Sequence, residues 1–225
     1  MPDTYPLTYD VDYPDRKLDR LTSAFRIFTA IPIMIVLAAI GGLTEVSTSG
    51  GHTTTVAASG SALLTLPPLL MIVFRRKYPR WWYDFNVELL RFHNRVGVYV
   101  ALMDDRYPST DERQSVHLEV AYPDATRLNR LLPLVKWLLA FPHYFVLAFL
   151  YIGAFFAVVI AWFAVLFTGK MPQGLFNAMR SALAYLSRST GYFLLLTEDY
   201  PPFSYEQAGA APAGEISSEA ASRQS

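Results

Sequence analysis

The chain has 225 residues, no cysteine, and 19 basic against 19 acidic side chains. It is 52% hydrophobic and 17% charged, where an ordinary soluble protein is roughly 25% charged. This excludes disorder of the body of the chain, a disulfide scaffold, thiol catalysis, and nucleic-acid binding driven by net positive charge.

The average conceals two populations. Ile27 to Phe74 is 48 residues with one charge, Glu45, and Trp137 to Gly169 is 33 residues with none. The remaining 144 residues carry 37 charges, an ordinary soluble share of about 26%. Membrane-like segments therefore alternate with water-like ones.

In chain order, Tyr5 to Asp12 reads as an extended strand. Leu21 to Leu43 has the length of a membrane span, with Arg26 near its start in a position to snorkel. Gly41 to Gly60 reads as a loop rich in Gly, Ser and Thr. Val56 to Phe74 is a second, shorter span interrupted by Pro67-Pro68, which membrane helices tolerate when neighbours re-satisfy the freed carbonyls. Arg75, Arg76, Lys77, Arg80, Trp81 and Trp82 follow at once, a cationic and aromatic cluster of the kind found at membrane edges. Between about 80 and 96, Trp81, Phe85, Leu89, Phe92 and Val96 form a stripe at helical spacing. Val96 to Met103 and Gln114 to Ala121 read as strands, and Val116-His117-Leu118-Glu119-Val120 alternates with period two.

The second apolar stretch is too long for one crossing, since 33 helical residues extend about 50 Å against a hydrocarbon core of roughly 30 Å. Spans over 131–152 and 154–168 with a tight turn at Gly153 fit better. Lys170 then opens a turn, 173–190 is an amphipathic helix carrying Leu175, Met179, Leu183 and Leu186, and Tyr192 to Thr197 reads as a fourth strand. Residues 205–225 read as a disordered tail.

These elements are written twice. Val11-Asp12-Tyr13-Pro14-Asp15 matches Val120-Ala121-Tyr122-Pro123-Asp124, and Leu18-Asp19-Arg20-Leu21 matches Leu128-Asn129-Arg130-Leu131. Arg26 matches Lys136, Pro32 matches Pro142, Lys77-Tyr78-Pro79 matches Lys170-Met171-Pro172, Arg95 matches Arg188, and Tyr107-Pro108 matches Tyr200-Pro201. The offset is 109–110 early and 93 late, the difference being the Gly/Ser/Thr loop of the first copy. The expected architecture is an α+β integral membrane protein: a tandem, pseudo-twofold repeat over 1–112 and 113–204. Each copy has two transmembrane helices, one amphipathic helix and two short cytoplasmic strands. The four strands could pair into one sheet, and the amphipathic helices could lie in the interface or pack on that sheet.

Arg16, Lys17, Arg20, Arg127, Arg130 and the basic cluster all flank one side, and the Gly41 to Gly60 loop has no Lys or Arg. The positive-inside rule then places both termini in the cytoplasm, in a bacterial plasma membrane. The first 26 residues do not read as a signal peptide.

Chemistry-bearing residues are few. His52, His93, His117 and His143 show no metal-ligand spacing, and His143 reads as a polar residue at the end of a span rather than a functional one. Asp104-Asp105 and Glu198-Asp199 stand at matching places before Tyr-Pro and read as turn and strand-end acids before acid–base catalysts. Phosphate-loop, dinucleotide and serine-nucleophile motifs are absent from the sequence. No catalytic residue, metal or cofactor is expected. Arg75, Arg76, Lys77, Arg80, Trp81, Trp82 and Lys170 are the candidate lipid-headgroup or interface residues, at roughly 1 kcal/mol per basic residue near an anionic leaflet.

The Tyr-Pro segment "VDYPDRKLDRLTSAFRIFTAIP", its echo "VAYPDATRLNRLLPLVKWLLAFPHYFVL" and the closing "LTEDYPPF" resemble the bacterial, actinobacterial-type membrane proteins grouped as the domain of unknown function 4389 family. The resemblance covers residues 5–204. It implies a membrane-embedded protein and no activity, so no functional residue carries over.

The expected function is a non-enzymatic membrane scaffold or accessory subunit whose cytoplasmic sheet binds a partner protein or a second copy. The alternative is a lipid-binding or lipid-transfer protein that uses the groove between the copies and the basic–aromatic cluster. Membrane lipids are expected partners in either case, and nucleic acid is not.

Overall fold

A computed structural model describes residues 5–14, 16–41, 45–49, 52–56, 60–110, 112, 114–123 and 132–203. Arg113, Arg127, Arg130, the Leu128–Leu131 match and the tail over 205–225 lie outside them. The fold is mostly helical with small two-stranded sheets.

The chain opens with β1 (Leu7–Val11), then α1 (Arg20–Ala24) and α2 (Arg26–Gly41). Asp19 caps α1, its carboxylate accepting from the Leu21 N–H at 2.8 Å. A hairpin of β2 (Glu45–Ser49) and β3 (His52–Val56) follows, then α3 (Gly60–Arg75) and α4 (Arg80–Val100). The remaining elements are β4 (Val116–Val120), α5 (Leu132–Thr168) and α6 (Gln173–Phe193).

β1 and β4 pair antiparallel, with Leu7 opposite Val120, Tyr9 opposite Leu118 and Val11 opposite Val116. Those positions face the core, while Thr8 and Asp10 face out, as the period-two pattern requires. β1 packs on α6 and β4 packs on α4. The core between them holds Tyr78, Tyr83, Val87, Leu102, Met103, Phe176, Met179 and Leu196.

Four sequence expectations are corrected. First, Val96–Met103 and Tyr192–Thr197 are not strands; they are the last turns and C-terminal caps of α4 and α6. Each helix closes by the same device. Leu102 and Leu195 adopt φ of 59° and 60°, and the next N–H bonds back five residues, Met103 to Val98 and Leu196 to Gly191. A leucine where glycine is usual hides the stop signal from the sequence.

Second, no turn occurs at Gly153. Residues 132–168 form one 37-residue helix, about 55 Å long. An isolated glycine costs a helix about 1 kcal/mol, too little to break an otherwise uninterrupted apolar run. A Cβ at Gly153 would meet nothing within 4 Å, so packing does not require the glycine either. The second predicted hairpin is therefore absent, and with it the even count of crossings that put both termini on one side.

Third, the Gly41 to Gly60 loop contains the β2–β3 hairpin, in which Ser49 pairs with His52. Fourth, Arg26 does not snorkel. It is 3% exposed and turned against the end of α4.

Among the described residues one helix is long and apolar enough to cross a membrane, Leu138–Thr168, with a mean hydropathy of 2.5 and only 11% of its most apolar stretch buried. α2 and α3 have 16 residues each, about 24 Å, short of a roughly 30 Å core. All three expose large apolar side chains, among them Ile27, Phe28, Ile35, Phe74, Phe149, Phe155 and Phe167. A continuous apolar surface on this scale needs lipid or protein cover.

Contacts recur at the sequence offsets. α4 and α6 both begin after a proline N-cap, Pro79 at φ −62°, ψ 127° and Pro172 at φ −62°, ψ 131°. The Tyr13 hydroxyl donates to the Met171 carbonyl at 2.6 Å, and the Tyr122 hydroxyl donates to the Tyr78 carbonyl at 2.5 Å. Tyr13 meets Phe176 edge-on at 4.9 Å, and Tyr122 meets Tyr83 edge-on at 4.8 Å. Arg26 lies 4.4 Å over the Tyr99 ring and Lys136 4.6 Å over the Tyr192 ring.

Candidate lipid site

An apolar groove of about 470 Å³ lies among the helices, within the roughly 300–1,000 Å³ usual for small-ligand sites. Four helices build it: Met34 and Leu37 of α2, Leu90 and Gly97 of α4, Leu150 and Ala154 of α5, and Met179, Ala182 and Leu183 of α6. Small residues set its width. A Cβ on Gly97 would stand 3.1 Å from the Leu183 Cδ2, so the glycine permits α4 and α6 to approach.

Asn94 and Ser187 in this groove satisfy each other and the backbone. The Asn94 amide donates to the Leu90 carbonyl at 2.8 Å, and the Ser187 hydroxyl lies 2.7 Å from both the Asn94 Oδ1 and the Leu183 carbonyl. His93 lines the rim on the exposed side of α4. With its hydrogen bonds turned inward, the surface left to a ligand is hydrocarbon.

Six of the seven candidate interface residues lie around the turn between α3 and α4. Arg75, Arg76 and Lys77 are exposed at the end of α3, and Arg76 takes φ of 49° in the turn. Arg80 lies 5.2 Å over the Tyr122 ring. Trp81 is 66% exposed, and Trp82 is half-buried with its indole N–H on the Leu64 carbonyl at 3.1 Å. Lys170 is not with them; it borders a polar hollow with Tyr13, Arg16, Lys17 and Met171. Lys170 thus stands among cations of the N-terminal segment, apart from the other six.

The amphipathic stripes are buried in part. α4 turns Phe92 and Val96 of its stripe inward together with Tyr83, Asn86, Val87, Leu90 and Asn94, and leaves Trp81 and Phe85 outside. On α6, Met179 is buried and Leu175 and Leu183 pack against the core. The asparagines and Arg95 of the inward face of α4 are what hydrophobicity alone does not mark. The Arg95 guanidinium donates to the Ser109 carbonyl at 2.8 Å, which explains its burial.

The other candidates have structural partners. Asp104 accepts from the Arg106 N–H and the Ser115 hydroxyl, and Asp105 pairs with Arg16. The Tyr5 hydroxyl donates to the Asp199 carbonyl, and Glu198 also has an interaction partner. His117 contacts Asp12 at 2.9 Å on the surface. His143 is fully buried in the protein: its Nδ1 lies 2.5 Å from the Tyr185 hydroxyl, and its ring stacks on Phe203 at 4.8 Å. His52 lies on β3. Among the described residues no group of three His, Asp or Glu is placed to hold a metal.

Lys136 stands two residues before the span. Its ammonium donates to the Thr197 carbonyl at 2.6 Å, and burial pushes its pKa down to about 8 although Glu198 and Asp199 act to raise it.

Residues 132–204 match the family described as Domain of unknown function (DUF4389), which covers α5, α6 and the closing Tyr-Pro segment. The resemblance to that family is thereby shown over about a third of the chain. No curated protein and no solved structure matches.

Proposed function

We propose that the chain is a membrane-embedded module of two related copies that binds a lipid acyl chain in the groove between them. The observation that carries this reading is the groove itself: four helices, two from each copy, enclose a hydrocarbon-lined space beside exposed apolar faces of α2 and α5. A chain leaving a bilayer would keep an apolar environment throughout, at about 0.8 kcal/mol per buried CH₂.

The two-copy reading is supported by the contacts that recur at offsets of 109–110 and 93, and by the crossed packing of β1 on α6 and β4 on α4. Each copy lends its leading strand and its Tyr-Pro tyrosine to the other. Bilayer embedding is supported by the apolar surface of α2, α3 and α5. On this reading the exposed Arg75, Arg76, Lys77 and Trp81 lie at the headgroup level on the cytoplasmic side of a bacterial plasma membrane.

Ala182 faces the groove from α6, so Ala182→Trp fills it without removing a hydrogen bond. Delipidated wild-type protein in detergent should gain thermal stability on adding phospholipid, as any ligand of the folded state confers. The Ala182→Trp variant should gain little. Equal gains in both proteins would refute the groove as the lipid site.

A second reading, an accessory subunit that binds a partner protein or a second copy, is favoured by the β1–β4 sheet. Each strand keeps one edge without a strand partner among the described residues, a place where a further strand can add. Affinity purification from detergent should then recover a stoichiometric partner or a homo-oligomer, and recovery of the chain alone as a monomer would contradict this reading.

A further inference from the structure

A polar hollow of about 440 Å³ opens where the membrane-length helix α5 ends. Tyr13, Pro14, Arg16 and Lys17 of the segment after β1 form one side, and Lys170 and Met171 form the other. Two bonds hold the sides together. The Leu18 N–H donates to the Gly169 carbonyl at 3.0 Å, and the Tyr13 hydroxyl donates to the Met171 carbonyl at 2.6 Å. They grip the turn on either side of Lys170 and leave its side chain exposed, with those of Arg16 and Lys17 across the hollow. The Arg20 guanidinium lies over the same turn: a Cβ at Gly169 would stand 3.4 Å from its Nε.

Four cations therefore gather at the end of α5. Arg16 pairs with Asp105, but Lys17, Arg20 and Lys170 form no ion pair among the described residues. Nearby acids are engaged otherwise, Asp12 with His117 and Asp19 as the cap of α1. Cations gathered without a counter-charge repel one another, and here a backbone bond and a tyrosine hold them in place. Such an arrangement is complementary to an anion. Lysine ammoniums are point donors, which suit the tetrahedral oxygens of a phosphate. One and two turns back along α5, Phe167 and Phe163 are exposed, so an apolar helix surface leads up to the cations.

We propose that this hollow binds the phosphate of an anionic phospholipid whose acyl chains run along the outer face of α5. The site is separate from the acyl groove and rests only on the reading that the chain is membrane-embedded. A free phosphate would satisfy the same cations; the apolar helix that ends at them favours the lipid.

The test uses the full chain, delipidated in detergent, titrated with phosphatidylglycerol, with phosphatidylcholine of the same acyl chains, and with inorganic phosphate. Phosphatidylglycerol should bind at least tenfold tighter than phosphatidylcholine. Lys17→Gln with Lys170→Gln should abolish that preference and leave phosphatidylcholine unchanged; both side chains are exposed, so the fold does not depend on them. Ala182→Trp, which fills the acyl groove, should keep the preference, so that failure of the groove and failure of the hollow are read separately. Equal affinity of the wild type for the two lipids overturns the proposal, and binding of neither overturns it together with the acyl groove. A preference that survives the double lysine variant overturns it too, and its loss in Arg75→Gln with Arg76→Gln and Lys77→Gln would then assign the headgroup to the turn after α3. Inorganic phosphate should not displace phosphatidylglycerol at equal concentration; displacement would assign the hollow to free phosphate and overturn the lipid.

Discussion

The Tyr13 hydroxyl donates to the carbonyl of Met171, the residue between the lysine and the proline of Lys170-Met171-Pro172. Tyr122 makes the same bond to Tyr78 of Lys77-Tyr78-Pro79. The two bonds cross between the N-terminal and C-terminal parts of the chain, and each holds the turn that starts a long helix. Tyr13→Phe and Tyr122→Phe keep the ring contacts with Phe176 and Tyr83 but remove the donor. Each should lower stability by about 1 kcal/mol, and the double variant by the sum, since the sites share no residue. Thermal unfolding in detergent measures this. No loss in either single variant would show that the hydroxyls do not bind these carbonyls.

Arg76 occupies a left-handed conformation at the end of α3, and Gly169 occupies the corresponding place after α5, with φ of 49° and 70°. A residue with a Cβ costs roughly 1–2 kcal/mol there. Arg76 is exposed and its side chain packs on nothing buried, so Arg76→Gly should stabilise the protein by about 1 kcal/mol. Gly169→Ala should destabilise it by a similar amount. A fall in melting temperature for Arg76→Gly would contradict the turn geometry.

Gly191 and Gly97 both sit under a leucine. A Cβ at Gly191 would lie 3.0 Å from the Leu7 Cδ1, and one at Gly97 3.1 Å from the Leu183 Cδ2. Leu7 is buried under the sheet, whereas Leu183 borders the open groove and has room to turn. Gly191→Ala should therefore cost about 1–3 kcal/mol, and Gly97→Ala less than half of that. Denaturation of the two variants side by side tests the ordering, which reverses if the groove is closed in solution.

Lys136 gives the protein a pH dependence of defined sign. Its folded pKa is about 8, below the ordinary lysine value of 10.5, because burial disfavours the ammonium. Between those values the unfolded state holds the proton and the folded state does not, so stability rises as pH rises from 8 to 10.5. Below pH 8 both states are protonated and the full burial penalty applies. Melting temperature should climb over this window in the wild type more than in Lys136→Met, and parallel profiles would place the ammonium in solvent.

Much of this architecture is legible in the residue pattern, and the misreadings have definite causes. The uncharged runs mark α2, α3 and α5, and the Lys-x-Pro turns mark where α4 and α6 begin. The period-two segments at Leu7 and Val116 are the strands that pair. Helix ends at Leu102 and Leu195 escape notice because a buried leucine holds the left-handed position, its packing offsetting the strain. Gly153 invites a turn that a continuous apolar helix does not make. The candidate site was half visible. The basic–aromatic cluster announces itself by composition, but the groove is made of ordinary apolar residues that only the packing brings together. Arg26 carries no sequence signal of its burial, since hydropathy cannot show a cation held under backbone carbonyls.

The central claim is that the crevice lined by α2, α4, α5 and α6 holds a lipid chain. Native mass spectrometry of the full chain released from its detergent micelle reads this most directly, against the Ala182→Trp variant prepared alongside. The account predicts one retained acyl-chain adduct per polypeptide in the wild type and its loss in the variant. A wild type that flies without any lipid, or a variant that keeps the same adduct, would contradict it.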